Sequence, residues 1–156
     1  QRVTVIPAAF EDAPLPEQVR AVLFLGCVGF VDDEARRNFW SRLAAHMPPG
    51  GVVLFDVMMI STPQRVGKMH LAEIPVGHHA YHVWLEGVPQ DAQHEKWLLT
   101  YQIAKDATVL LERRVDFLWR TLGLEDVARE AGPYGFAFEA LTDTLIPSAI
   151  LRRTAA

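Results

Sequence analysis

Three of the six histidines, His78, His79 and His82, fall within the six-residue run Gly-His-His-Ala-Tyr-His at positions 77–82. Imidazole is a common ligand for divalent transition metals, and residues four apart on a strand share a face, so His78 and His82 invite a metal reading. No carboxylate accompanies them at a metal-ligand spacing, and the expectation is a polar strand end that holds no metal. His79 and Tyr81 are instead the candidates for a catalytic general base acting on a hydroxyl or amine, because imidazole is the side chain that changes charge near neutral pH. Cys27 is the only cysteine, which excludes an internal disulfide. With no His and Asn constellation tied to it, Cys27 reads as a small buried residue rather than a nucleophile. The sequence contains no Gly-x-Ser-x-Gly elbow, Walker loop or Cys-x-x-Cys pair. Hydrolase, nucleotidase and dithiol redox chemistry therefore find no support.

The chain that must position these residues has 156 residues, half of them apolar and 22% charged, which suits one compact globular domain. Its longest apolar run, residues 21–31, falls well short of the ~20 residues a membrane-spanning helix needs. No basic stretch, apolar run and small-residue cleavage site open the sequence, and one cysteine fits a reducing compartment, so a cytoplasmic protein with no membrane partner is expected. The net charge is −4, and Arg113-Arg114 and Arg152-Arg153 are isolated pairs. That is no footprint for nucleic acid.

Along the chain, Arg2 to Ile6 reads as a short strand before a proline-rich loop. Ala21 to Val28 and Gly51 to Met58 are unbroken apolar runs, the pattern of parallel strands covered on both faces. Between them, Asp32 or Asp33 can cap a helix carrying Ala35, Phe39, Trp40, Leu43, Ala44 and Met47 at three- and four-residue spacing, stopped by Pro48-Pro49-Gly50-Gly51. This strand, helix, strand order predicts a right-handed parallel crossover, half of a doubly wound α/β sheet. After Ile60 the character changes. Ser61 to Pro75 shows no clear period, His79 to Gly87 reads as a strand, and Trp97, Leu99, Tyr101 and Ile103 lead through Lys105-Asp106 into Val109, Leu111, Val115 and Phe117, a long antiparallel hairpin. Leu124, Val127, Ala128 and Ala131 mark a short helix stopped at Gly132, and Phe136 to Thr142 with Ser148 to Arg153 close the chain as two strands.

The stretch AFEDAPLPEQVRAVLFLGCVGFVDDEARRNFWSRLAAHMPPGGVVLFDV resembles the second half of a class I S-adenosylmethionine-dependent methyltransferase. The acidic loop, the Pro-Leu-Pro turn, the buried strand, the helix and the Pro-Gly-Gly turn into the next strand stand in the family's order. LEDVAREAGPYGFAFEAL resembles its later helix and sixth strand, and PSAILRRT the last strand, which pairs antiparallel with the sixth. The resemblance implies a partial Rossmann-like sheet, S-adenosylmethionine as cofactor and methyl transfer to a small-molecule O, N or C nucleophile. It places the adenine against Phe10 and Glu11, and the ribose and methionine parts against the backbone of Leu25, Gly26 and Cys27. The family's usual Asp in the adenine loop is Ala9 here, and Arg20 stands where an acidic residue often opens the fourth strand.

The family also opens with a strand, a glycine-rich loop and a second strand ending in an acid, and none of these occurs in the 156 residues. The expectation is a single methyltransferase-like domain, residues 1–156, incomplete at its N-terminus, with residues 61–120 inserted as a lid over the acceptor. A complementing N-terminal segment or a homo-oligomer would then be the partner completing the site. Two other readings stay open: a non-catalytic binding or dimerisation module derived from the same fold, and an unrelated α+β ligand-binding cup.

Overall fold

A computed structural model describes residues 3–8, 12–106 and 108–155 of the chain. In chain order its strands are β1 (Ala21–Phe24), β2 (Val52–Asp56), β3 (Val66–Val76), β4 (His79–Pro89), β5 (His94–Lys105), β6 (Thr108–Arg120), β7 (Phe136–Ala140) and β8 (Ser148–Arg153). The helices are α1 (Asp33–His46) and α2 (Leu124–Ala131), with short 3-10 turns at Val28–Phe30 and Gly132–Tyr134. The chain forms two compact units, Gln1–Ser61 with Leu122–Ala156, and Thr62–Thr121. No helix among the described residues is long and apolar enough to cross a membrane.

In the first unit four strands lie in the order β1, β2, β8, β7. β1 and β2 are parallel, from Ala21 opposite Val52 to Phe24 opposite Phe55, and β8 runs antiparallel to both β2 and β7. The expected parallel crossover is therefore present, and so is the antiparallel pairing of the last two strands. Helix α1 supplies the connection. The Asp32 carboxylate accepts the Ala35 N–H at 2.8 Å, Asp33 and Glu34 complement the helix N-terminus, and Met47, extended because a proline follows it, ends the helix. The buried face of α1 carries Phe39, Trp40 and Leu43 onto Phe24, Val53, Phe55, Phe136 and Leu151. Phe39 and Trp40 meet at 5.1 Å between ring centroids, Phe24 and Phe39 at 5.6 Å, and Trp40 and Phe136 at 6.0 Å, so one tryptophan joins both ends of the sheet. Truncating such a ring to alanine costs about 3–5 kcal/mol.

Arg36, fully buried, ties α1 to α2. Its Nε and Nη2 donate to the two Glu130 oxygens at 2.8 Å each, Nη2 also donates to Asp33 at 2.6 Å, and Nη1 donates to the Val31 carbonyl. Every polar atom of the guanidinium that enters the interior is thereby paired, which is the condition for burying a charge.

Three expectations change. β1 is four residues long and lies at the edge of its unit's sheet, with Leu23 71% exposed, so its apolar run is not a strand covered on both faces. The run ends early because Gly26 adopts a positive φ of 64° and Val28 begins a 3-10 turn. Val3 to Ile6 make no strand: Val3 and Val5 are exposed and, among the described residues, no neighbouring strand offers a ladder, without which an extended segment is not stabilised. The stretch without a clear period holds all but the last residue of the eleven-residue strand β3.

The second unit is an antiparallel meander in the order β3, β4, β5, β6. One face carries Met69, Ile74, Tyr81, Leu85, Trp97, Leu99, Tyr101, Leu111 and Val115; the other carries His70, Glu73, His82, Glu86, Lys96, Gln102, Glu112 and Asp116. Two register shifts in β3, between Val66 and Met69 and between His70 and Ala72, each insert one extra residue. They explain the missing period, since a single added residue moves all later side chains to the opposite face.

Candidate functional site

In an open α/β sheet, ligands bind outside the carboxyl ends of the parallel strands. Here those ends are Phe24 and Asp56, on neighbouring strands. Beyond Phe24 the chain turns through Leu25 and Gly26, and the Gly26 N–H donates to the Asp56 carboxylate at 2.6 Å, closing the two tips on each other. Among the described residues, a Cβ at Gly26 would meet nothing within 4 Å, yet the positive φ strains any other residue. The outcome is a bare backbone turn with open space beside it and Leu25 partly exposed. Of the five residues assigned to the cofactor, Leu25, Gly26 and Cys27 are brought together at this tip. Phe10 and Glu11, with Ala9, lie outside the described residues.

Burial, and secondarily the nearby Asp56 carboxylate, push the Cys27 thiol above its ordinary pKa. A thiol held protonated is a poor nucleophile. Asp56 was missed by the sequence reading, although an acid closing the run Val-Val-Leu-Phe-Asp is a visible signal. Near the entry to α1, a polar cleft of about 470 Å³ is lined by Asp12, Asp32, Glu34, Ala35, Asn38, Ser41 and Arg42. Asp32 is already engaged there as the helix cap, and Arg42 donates to the Ala13 carbonyl.

Within the second unit, His79 and Tyr81 stand two apart on β4 and share the face that carries Tyr101 and Ile103. Neither side chain makes a hydrogen bond or ion pair among the described residues, and Tyr81 is 38% exposed. At the other end of the same face, Glu95 is fully buried; its Oε1 has no hydrogen-bond partner among the described residues and its Oε2 accepts only a long 3.4 Å bond from the Gln64 N–H. Burial raises its carboxyl pKa, and the Gln64 bond offsets part of this. Gly87 lies where a Cβ would collide with the Glu95 carboxylate and the Trp97 ring. Glu95 was also missed, although it keeps strict alternation with Trp97 and Leu99 and so had to enter their apolar face. Ile103, opposite Tyr81, and Glu95 are eight positions apart on β5, about 27 Å at the rise of an antiparallel strand. The two ends of this face therefore cannot touch the same small molecule.

The histidine-rich turn does not act as one group. His79 points with Tyr81, whereas His82 lies on the polar face beside His70 and Glu73 of β3, a grouping with the ligand types of a metal site.

No protein-family model matches the chain, and no curated protein sequence matches it. Solved structures do. SAM-bound CalS10 from Micromonospora echinaspora, an amino pentose methyltransferase involved in calicheamicin biosynthesis, superposes with a TM-score of 0.75 at 15% identity over 94% of this chain and 63% of its own. DesVI from Streptomyces venezuelae gives 0.77 at 14% identity, covering 94% and 64%. The sugar N-methyltransferase KedS8 from Streptoalloteichus sp ATCC 53650 gives 0.74 at 18% identity, covering 95% and 61%. The chain thus has part of the Rossmann-like class I fold of S-adenosylmethionine-dependent methyltransferases and spans a little under two thirds of the length of these structures.

Proposed function

We propose that this chain belongs to an enzyme that transfers a methyl group from S-adenosylmethionine to an amine of a small, sugar-like molecule. The carrying observation is the tip of β1 and β2, where Gly26 leaves backbone open to a ligand and is held by Asp56, in a fold shared with a SAM-bound neighbour. Two of the neighbours are described as methyltransferases of an amino pentose and of a sugar nitrogen, which favours N over O or C as the nucleophile.

The cofactor, when bound, supplies an electrophilic methyl on a sulfonium. The protein residues have the remaining tasks. Leu25 offers an apolar wall and Gly26 a close backbone approach, so the ligand is held by shape and main chain with no bulky side chain intervening. The acceptor amine would have to stand, neutral and with its lone pair in line, behind that methyl, and the proton released after transfer would pass to the His79 imidazole or to water. Catalysis of this step rests on alignment and exclusion of water, which is why no loud nucleophile is needed.

For the acceptor, the reading retains His79 and Tyr81, two polar side chains without hydrogen-bond partners among the described residues, on a largely apolar face. The experiment is methylation of an amino sugar by the full protein, followed by mass spectrometry. Tyr81→Ala or His79→Ala is expected to lower kcat/KM for the amine about tenfold or more with S-adenosylhomocysteine affinity unchanged. If Glu95→Gln removes activity while Tyr81→Ala and His79→Ala do not, the acceptor assignment is wrong and passes to the buried end of that face.

A further inference from the structure

We propose that His70, Glu73 and His82 form a divalent transition-metal site on the polar face of the four-stranded sheet, of the kind zinc occupies, independent of methyl transfer. His82 Nδ1 stands at its centre, 3.3 Å from His70 Nε2 and 3.6 Å from a Glu73 carboxylate oxygen. All three ligand atoms lie within 4.8 Å of one another. At zinc–nitrogen and zinc–oxygen bonds of about 2.0–2.1 Å, two ligands of a tetrahedral ion are separated by about 3.3–3.4 Å, so the His70–His82 distance already matches an edge of that polyhedron and the Glu73–His82 distance exceeds one by only about 0.2–0.3 Å. Glu73 is exposed, and rotation of its side chain suffices to bring the third edge in.

The backbone explains how the group assembles. Glu73 and His82 are directly opposed across β3 and β4, and His70 is opposite Trp84. In a regular ladder His70 would be one step out of phase and would point to the apolar face. The extra residue, Leu71, sits between the pairs His70 with Trp84 and Ala72 with Val83, and its bulge returns His70 to the face of His82. Stacking of the His70 ring on Trp84, with centroids 4.3 Å apart, fixes the imidazole plane. Two histidines and one carboxylate leave a fourth position open, the arrangement of sites that also bind water or an exogenous ligand. Glu73 and His82 also line a groove of about 400 Å³ with His78 and Asp106. Because β3 is an edge strand, an ion held between it and β4 would clip the edge in place.

The test is calorimetric titration of the full protein with zinc chloride in metal-free buffer, repeated with cobalt(II) followed by its visible absorption. One zinc ion per chain is expected, with the intense absorption of tetrahedral cobalt. His70→Ala, His82→Ala and Glu73→Gln should each weaken binding at least about tenfold, while His94→Ala, which removes an ordinary pairing with Asp91, should leave it unchanged. Zinc should also raise the melting temperature of the wild type but not of His82→Ala. All three ligands are at least partly exposed, so these variants do not disturb a packed core. Absence of saturable zinc binding, or binding that His70→Ala and His82→Ala leave intact, would reduce the cluster to a hydrogen-bonded histidine pair and overturn the proposal.

Discussion

Buried charge is where single residues carry the most consequence in this chain, and its two instances among the described residues have opposite signs. Arg36 is satisfied by Glu130, Asp33 and a carbonyl, so its removal leaves Glu130 with an uncompensated charge. Arg36→Ala is expected to cost about 3–5 kcal/mol in urea unfolding, the range found when one partner of a buried pair is lost. A cost under about 1 kcal/mol would mean that water replaces the guanidinium. Glu95 is buried with one oxygen unpaired, and burial raises its pKa in the folded chain. The folded state then binds more protons than the unfolded state over a window that starts at the unfolded carboxylate value, about 4.3, and extends upward. Stability from this group is therefore highest below the window and falls as pH rises through it. Urea midpoints of wild type and Glu95→Gln, compared across the window, should show the steeper decline in wild type; parallel curves would contradict the assignment.

At the scale of elements, legibility followed the regularity of the backbone. α1 was readable from both ends because its signals are local: an acid at the cap, a three- and four-residue apolar stripe, and a Pro-Pro stop. Asp32→Ala should accordingly destabilise the chain by about 1 kcal/mol in thermal or urea unfolding, and no measurable loss would contradict its role as the cap. β5 and β6 were readable because strict alternation survives along nearly their whole length. β3 was not, because its two bulges break the period on which such reading depends, and the same irregularity hid the approach of His70 and Glu73 to His82. The tip of β1 lies between these cases. Its apolar run announced a strand, but no pattern of hydrophobicity distinguishes Phe24, inside the ladder, from Leu25, outside it; only the backbone angle of Gly26 does.

For the whole molecule, the sequence reading and the structure agree on a parallel pair joined by a helix, followed by an antiparallel excursion and a closing antiparallel pair. The candidate site was legible only in part. Leu25, Gly26 and Cys27 were assigned from a resemblance to a family and stand as proposals, whereas Asp56 and Glu95 needed the third dimension to show a partner in one case and, among the described residues, an unpaired oxygen in the other. The most direct measurement is calorimetric titration of the full protein with S-adenosylhomocysteine, for wild type and for Gly26→Val, with circular dichroism verifying that the variant is folded. If that variant does not fold, Asp56→Asn addresses the same turn by weakening the bond to the Gly26 N–H. Saturable binding by wild type, weakened at least about tenfold by loss of the glycine turn, is the predicted result. No binding by wild type, or equal binding by the variant, would contradict a cofactor site at the β1 and β2 tips.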